Sequence, residues 1–361
     1  MDHAALLCLM PLAPSRYNGA MLEINGSYGE GGGQILRTAL SLSCVVKIPF
    51  RLYNIRKGRM KPGLMPQHLT CVHALTRISG ATVQGGSLGS TELVFEPKET
   101  MPGDYFFDIG TAGSTTLLLQ SILPALVFAN AFSSLTLKGG THVPFSPPYH
   151  FISEVFIPML RGIGIPIDIT IGRYGFYPKG GGDISVRIYP HKGIKGLTLT
   201  NRGEGMSVAG ISAVANLPAS IADRQKAAAE AVLRPLPIQH EIKTAEVPSF
   251  GQGTFVFLKA ETQHCIAGFS ALGGRGKRAE AVGEEAGRAF LSYHATKACI
   301  DQHLADQLVL YLCLAEGASV FTTSGVTNHL LTNLRVIGQF LKARYSVDGD
   351  KGKPGKIMIF P

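Results

Sequence analysis

A recurring transition from glycine-rich backbone to apolar helix constrains the fold of this chain more than any other feature. It occurs in residues 26–43 (GSYGEGGGQILRTALSLS), in residues 106–129 (FFDIGTAGSTTLLLQSILPALVFA) and, more weakly, in residues 269–293 (FSALGGRGKRAEAVGEEAGRAFLSY). Such a transition is typical of a strand that turns sharply into a core helix. The spacing is irregular but the pattern repeats, so the chain is predicted to alternate strands and helices in an α/β or α+β fold.

Other segments fit the same alternation. Alternating or β-branched runs predict strands over 133–139, 183–190, 253–260 and 317–323, and the C-terminal RYSVDGDKGKPGKIMIFP predicts a closing hairpin. Apolar residues at helical spacing predict helices in QHLTCVHALTRISG, YHFISEVFIPMLRGIG, ADRQKAAAEAVLRPL, HLADQLVLYLCLA and NHLLTNLRVIGQFL.

The chain is predicted to divide into three parts. Residues 186–290, with an Ala-rich charged helix and the turn-rich VPSFGQG, differ in character and indicate a separate or inserted smaller domain. Residues 21–185 and 291–361 then form the main domain. We expect residues 1–20 to be a disordered extension, because their short apolar centre follows Asp2 and lacks the basic start and the cleavage site of a signal peptide.

Composition narrows the class of protein. The 361 residues are 45% hydrophobic and carry a formal charge of +9, which fits a polyanionic partner about as well as a merely basic surface. The six cysteines contain no CxxC pair, which favours buried free thiols in a reducing cytoplasm over a disulfide framework or a zinc site. No apolar run reaches the length of about 18 residues that a membrane span needs.

The first glycine-rich segment is a candidate anion site. Its glycines allow backbone N–H groups to approach a ligand, and the start of the following helix adds partial positive charge. Glu30 lies within it as a candidate ligand of a metal or hydroxyl, with Gln34 and Arg37 one and two helical turns further on. The alternative interpretation is a tight turn between a strand and a helix.

Two further segments suggest phosphate and base binding. The basic run IRKGRMKPGLMPQH has no acidic partner, which favours phosphate contacts by guanidinium groups over a solvated charged face. In GGTHVPFSPPYHF, Pro147 with Tyr149 and Phe151 is suited to a flat base, although a Pro-rich loop that merely packs is equally compatible.

The last candidate is His329. Thr327 or Asn328 is predicted to cap the helix that follows, which places His329 in the first turn. The positive end of the helix dipole disfavours imidazolium there, so the neutral ring is a possible nucleophile. Taken alone, a histidine at this position is also compatible with an ordinary surface or capping residue.

Taken together, these motifs resemble the RNA 3′-terminal phosphate cyclase family. GEGGGQILR, IRKGRMKPGLMPQH, IGTAGSTTLLLQ, FYPKGGG and LADQLVL followed by NHLLTN occur in the family's order, from about Met21 to the C-terminus. The resemblance implies a main domain of three repeated units, each a four-stranded sheet with two helices, and a smaller α/β domain inserted before the third unit.

The resemblance also implies an enzyme of RNA processing, an ATP-dependent ligase that forms AMP and diphosphate. His329 would take AMP from ATP, the AMP would pass to the RNA 3′-phosphate, and the ribose 2′-hydroxyl would close a 2′,3′-cyclic phosphate. Mg or Mn would assist, with Glu30 and Asp306 as implied metal ligands. The implied contacts to RNA phosphate and nucleotide are Arg37, Arg56, Arg59, Gln67 and His68, and those to the nucleotide are Gln34, Gln120, Pro147, Phe151, His303, Asp306 and Gln307.

Some alternatives stay open at this point. His303 occupies a position where some family members place an aromatic residue that stacks on adenine, which leaves the strictness for ATP undecided. A non-catalytic, cyclase-like RNA-binding factor in ribosome assembly is the nearest rival, and a carboxyvinyl transferase of related architecture is a third. The sequence is compatible with a monomer or a homodimer.

Overall fold

The strands of this protein form four separate four-stranded sheets in the residues that the computed structural model describes, 21–129 and 131–361. The first sheet contains β1 (Leu22–Asn25), β2 (Phe50–Tyr53), β3 (Thr82–Gln84) and β4 (Leu93–Glu96), with helices α1 (Gly33–Val46) and α2 (Pro66–Ser79). The second sheet contains β5 (Asp104–Asp108), β6 (Ser133–Gly139), β7 (Ile167–Arg173) and β8 (Gly182–Ile188), with α3 (Thr115–Val127), α4 (Tyr149–Phe151), a π-helical segment (Ile152–Phe156) and α5 (Ile157–Gly162).

The third sheet has the same topology as the first two. It contains β9 (Thr198–Leu199), β14 (Ser319–Thr323), β15 (Arg344–Asp348) and β16 (Gly355–Phe360), with α8 (Gln302–Leu312) and α9 (Asn328–Phe340). The strand orders are β1-β2-β4-β3, β5-β6-β8-β7 and β9-β14-β16-β15. In each sheet the first two strands are parallel and the other two pairings are antiparallel. The chain thus builds one βαβαββ unit three times.

The fourth sheet lies between β9 and α8 in the sequence. It contains β10 (Ser207–Ala215), β11 (Gln239–Glu246), β12 (Gly253–Glu261) and β13 (Ile266–Leu272), with α6 (Ser220–Leu233) and α7 (Ala279–Thr296). Its order is β11-β10-β12-β13. Some buried residues of this unit, among them Val256 on β12 and Phe290 on α7, form a hydrophobic cluster of their own, whereas Phe255 and Phe257 of β12 belong to the main core. The division of the chain at 186 and 290 stays a proposal, and β8 and α7 cross those two positions.

Apolar periodicity determines which faces of the strands and helices are buried in the core. Along β6, the inward-facing Leu135 and Leu137 alternate with more exposed residues, as a sheet with one covered face requires. Helix α1 is almost wholly buried and packs against both α3 and α9. These contacts bring the helix starts of the first and third units together, and the candidate site is built there.

The structure confirms the mixed α/β fold class, the strand over residues 133–139 and the antiparallel C-terminal hairpin of β15 and β16. The helix predicted in YHFISEVFIPMLRGIG is interrupted by a π-helical segment directly before Ile157 and Pro158. Cys44, Cys71, Cys265, Cys299 and Cys313 are free and buried, as predicted. The predicted extension over residues 1–20, with Cys8, lies outside the described residues. Within 21–129 and 131–361, no helix has both the length and the apolar character to cross a membrane.

Candidate active site

The start of α9 is fixed by hydrogen bonds to two other helices. Of the two predicted caps, Thr327 and Asn328, the structure uses Thr327, whose hydroxyl accepts a hydrogen bond from the Leu330 N–H at 2.9 Å. The same hydroxyl donates to Asp306 Oδ1 on α8 at 2.5 Å. Gln34 on α1 donates through Nε2 to the His329 carbonyl oxygen at 2.8 Å. His329 therefore has a defined position in the first turn of α9.

A carboxylate and several cations surround the His329 imidazole. Glu30 Oε2 lies 3.2 Å from His329 Nε2, and both side chains are roughly 40% exposed, at 39% and 44%. Arg59 approaches the same Glu30 oxygen at 3.9 Å. Partial burial lowers the pKa of His329, nearby Arg37 acts in the same direction, and Glu30 opposes them. Burial and the nearby guanidinium therefore favour the neutral imidazole, which keeps a lone pair.

The glycine-rich loop lies against the start of α2. The N-cap of α1 is Gly32, which offers no side chain to the N–H groups of the first turn. A Cβ on Gly33 would lie 2.1 Å from His68 Nε2, so only glycine permits this approach. Burial, together with Arg37 and Arg56, lowers the pKa of His68 to about 3. The loop thus combines free backbone donors with cationic neighbours, which suits an anionic ligand.

Two residues predicted to contact substrate hold loops together in the structure. Arg56 donates through one guanidinium nitrogen to the carbonyl oxygens of Lys61 (2.6 Å) and Gly63 (3.1 Å). The Gln67 side-chain amide makes two hydrogen bonds with the backbone of Ser114. Gln67 Nε2 donates to the Ser114 carbonyl oxygen at 3.1 Å, and Gln67 Oε1 accepts from the Ser114 N–H at 2.6 Å. Their roles as substrate contacts stay predictions.

A cavity of about 730 Å³ extends from His329 between the units. All seven residues predicted to bind nucleotide line it, together with Arg37 and His329: Gln34, Gln120, Pro147, Phe151, His303, Asp306 and Gln307. Gln120 Nε2 donates to Gln307 Oε1 at 2.6 Å, which joins α3 to α8 across the cavity wall. The fourth sheet unit contributes further wall residues, among them Phe269 and Tyr293.

Several polar residues of the site were not predicted. Asn333 accepts from the Thr38 hydroxyl at 2.8 Å and donates to the Asp306 carbonyl oxygen at 2.7 Å, so it joins α1, α8 and α9. Asp301 is buried and caps α8 by accepting from the His303 and Leu304 N–H groups. The N-cap preference for aspartate was a usable signal for Asp301. Nothing in the local sequence indicates the contacts of Asn333.

The two carboxylates predicted to bind a metal ion, Glu30 and Asp306, are not equally suited to that role. Within the described residues, no group of three or more His, Cys, Asp or Glu side chains is arranged to hold a metal ion. Mg²⁺ is commonly held by one or two carboxylates together with substrate phosphates, and the partly exposed Glu30 fits that mode. Asp306 fits it less well, because burial raises its pKa to about 8 and one of its oxygens already accepts from Thr327.

Fold and site together define a class of protein: three βαβαββ units whose helix starts enclose a cavity suited to a phosphate-bearing ligand. A family model described as RNA 3′-terminal phosphate cyclase matches residues 28–347, and the chain belongs to that family.

Individual relatives agree over nearly the full length. A protein of Staphylothermus marinus named RNA 3′-terminal phosphate cyclase is 43% identical over 348 residues, covering 94% of this chain and 98% of the relative. A protein with the same name from Sulfolobus acidocaldarius is 46% identical, and the match covers 91% of this chain and 97% of the relative. Another, from Pyrococcus abyssi, is 44% identical, and the match covers 94% of this chain and 98% of the relative.

Proposed function

We propose that this protein is an ATP-dependent RNA 3′-terminal phosphate cyclase that works through a covalent histidine-AMP. A nitrogen of His329 attacks the α-phosphorus of ATP, and the bond to the leaving pyrophosphate breaks. An oxygen of the RNA 3′-phosphate then attacks the same phosphorus and releases the histidine. Finally the ribose 2′-hydroxyl loses its proton and attacks the activated 3′-phosphate, which gives a 2′,3′-cyclic phosphate and free AMP.

The observation that carries this proposal is the half-buried imidazole of His329, beside Glu30, in the wall of a cavity of about 730 Å³ that all seven predicted nucleotide-binding residues line. A nucleophile of this kind divides one difficult displacement into easier steps. The hydrogen bond from Gln34 to the His329 carbonyl oxygen and the Thr327 cap fix the backbone that carries the ring. Fixed geometry lowers the entropic part of the barrier.

Charge around the imidazole suits phosphate chemistry. Arg37, Arg59 and the first turn of α1 supply positive potential where negative charge develops. We propose that Glu30 binds a divalent cation, Mg or Mn, which when bound would neutralise phosphate charge. The walls from Pro147 and Phe151 would exclude water beside the base. Free buried thiols fit a cytoplasmic location.

The test is product analysis. Purified protein is incubated with ATP, Mg²⁺ and an oligoribonucleotide that carries a 3′-phosphate. We expect the RNA end to become resistant to phosphatase, with one AMP and one pyrophosphate released for each cyclic end. RNA that is bound but recovered unchanged would contradict the proposal and favour the non-catalytic RNA-binding factor.

A further inference from the structure

A second pocket, of about 310 Å³, lies at one end of the second sheet. Lys179 and Gly181 of the glycine-rich segment FYPKGGG line it, and the reaction above assigns this segment no role. Its charged and aromatic lining consists of Asp108, Lys138, Arg173, Lys179, Asp183 and Phe250. Phe250 belongs to the turn-rich VPSFGQG of the fourth sheet unit, so two units form the pocket.

The pocket holds cations that have no ionic partner. Lys138 lies in register between Asp108 on β5 and Asp183 on β8. Even so, in the described part of the chain none of Lys138, Arg173 and Lys179 has a carboxylate oxygen within 4.0 Å of its charged nitrogens. Three cations face two carboxylates, and both lysines are exposed. Such a surface attracts an anion.

Aromatic rings stand exposed beside these cations. Phe250 is 57% exposed and Phe106, on β5, is 48% exposed. The Arg173 guanidinium lies 4.1 Å from the centre of the Phe250 ring, and Lys138 Nζ lies 5.2 Å from that of Phe106. Aromatic and guanidinium planes next to cationic side chains are how proteins hold single-stranded nucleic acid without reading its sequence.

The Phe250 ring is held in this exposed position. Asn216 Nδ2 donates to the carbonyl oxygens of Ser249 (2.8 Å) and Gly251 (2.9 Å) on either side of Phe250. The ring packs on Gly181, where a Cβ would lie 2.9 Å from Phe250 Cδ2 and where φ is +73°. A side chain at residue 181 would both displace the ring and strain the backbone.

One loop connects this pocket to the candidate active site. Residues 110 and 111 line the pocket. Ser114, at the other end of the same loop, is hydrogen-bonded through its backbone to the Gln67 side chain. The FYPKGGG segment is anchored on the middle of that loop, because a Cβ on Gly180 would lie 2.8 Å from Ala112 Cα. A strand that ends near Gln67 can therefore continue toward Lys179 and Phe250.

We propose that this pocket binds the RNA strand upstream of its 3′-phosphate, with a base against Phe250 and backbone phosphates on Lys138 and Lys179. The inference rests on the proposed function, which makes RNA the substrate. Asp108 and Asp183 are acceptors for ribose 2′-hydroxyl or base amino groups. The pocket adds affinity for longer RNA and takes no part in the reaction with ATP.

The test compares RNA lengths in matched variants. The pocket variant is Lys179→Ala with Phe250→Ala, and the control is Lys243→Ala with Phe132→Ala, which removes the same side-chain types at exposed positions outside the pocket. KM is measured for a 3′-phosphorylated dinucleotide and a 3′-phosphorylated 12-mer. For the pocket variant we expect KM for the 12-mer to rise about tenfold or more, the effect of losing a base stack and a phosphate contact, with KM for the dinucleotide unchanged.

Other outcomes separate this inference from the proposed function. If KM of the pocket variant changes equally for the dinucleotide and the 12-mer, or does not change for the 12-mer, the inference is wrong. Label transfer from ATP to the protein alone should be the same in both variants. If even the wild-type protein neither takes label from ATP nor cyclises RNA ends, the proposed function fails. Binding of the 12-mer, measured by fluorescence anisotropy, then tests the inference by itself. Weaker binding by the pocket variant than by the control would support it, and equal binding would refute it. Lys138→Gln, on an exposed strand position, repeats the test should the double variant fold poorly.

Discussion

At the scale of single residues, the imidazole of His329 owes its low pKa mainly to partial burial. The sequence predicts a neutral ring from the helix dipole, but in the structure desolvation is the largest cause, with Arg37 in support and Glu30 in opposition. Since Glu30 lies 3.2 Å from the ring, its carboxylate limits how far the pKa falls. The pKa of this histidine therefore depends on residues distant from it in sequence.

Arg59 gives a prediction at this scale. Its side chain is 45% exposed, and the nearest carboxylate oxygen in the described part of the chain, Glu30 Oε2, lies 3.9 Å from its Nη2, so the guanidinium remains available to a phosphate. We expect Arg59→Ala to lower kcat/KM for 3′-phosphorylated RNA about tenfold or more while the thermal unfolding midpoint stays the same.

The matched control for Arg59 is Lys57→Ala, which removes an exposed cation from the same loop. It should leave kcat/KM within about twofold. Equal losses in the two variants would show that the loop acts only through its overall charge, and the specific role of Arg59 would then be wrong.

Residue positions were predictable where the signal is local. The sequence limits the cap of this helix to Thr327 or Asn328, and the structure has Thr327. Three contacts join residues far apart in the chain: Glu30 with His329, the Thr38 hydroxyl donating to Asn333, and Asn333 donating to the Asp306 carbonyl oxygen. Local rules do not constrain such pairs, because only the packing of α9 against α1 and α8 brings them together.

At the scale of elements, the start of α9 is coupled to α8 through one hydroxyl. Thr327 caps α9 and also donates to Asp306. We expect Thr327→Val to reduce the free energy of unfolding by about 1–2 kcal/mol, because both a cap and a buried hydrogen bond are lost. Thr327→Ser keeps the hydroxyl, so its free energy of unfolding, measured by urea denaturation, should fall much less. Equal losses would assign the effect to side-chain shape instead.

Elements with a strict apolar period were predictable, whereas an internal irregularity was not. The strand over 133–139 alternates along its whole length. In the helical segment over 149–162, the backbone changes to a π-helix at Ile152–Phe156, next to Pro158, which lacks an N–H for a regular turn. Apolar spacing alone does not distinguish that segment from a continuous α-helix.

At the scale of the whole molecule, the fourth sheet unit joins the second unit through buried histidines. His142 Nε2 lies 3.0 Å from His150 Nδ1, and both rings pack on Phe255 of β12. Thr141 Oγ1 lies 2.9 Å from His142 Nδ1, which extends this chain of hydrogen bonds, and within 21–129 and 131–361 no charged side chain joins it. Burial lowers the pKa of His150 to about 4, and the pKa of His142 is also well below its ordinary value.

This arrangement predicts acid sensitivity. Because the folded pKa lies below the unfolded value of about 6.5, the unfolded chain binds more protons as pH falls, so stability is lost between about pH 6.5 and pH 4. For His150 alone the loss approaches about 3 kcal/mol. The unfolding midpoint of wild type should fall more steeply over this interval than that of His150→Phe. Parallel curves would contradict the assignment.

The central claim is that His329 carries AMP, and label transfer tests it most directly. Protein is incubated with Mg²⁺ and ATP labelled at the α-phosphate, without RNA, and then separated on a denaturing gel. The account predicts a labelled wild-type band that acid or hydroxylamine removes, as expected for a phosphoramidate, and no label on His329→Ala. An unlabelled wild-type band, or equal labelling of His329→Ala, would contradict the account.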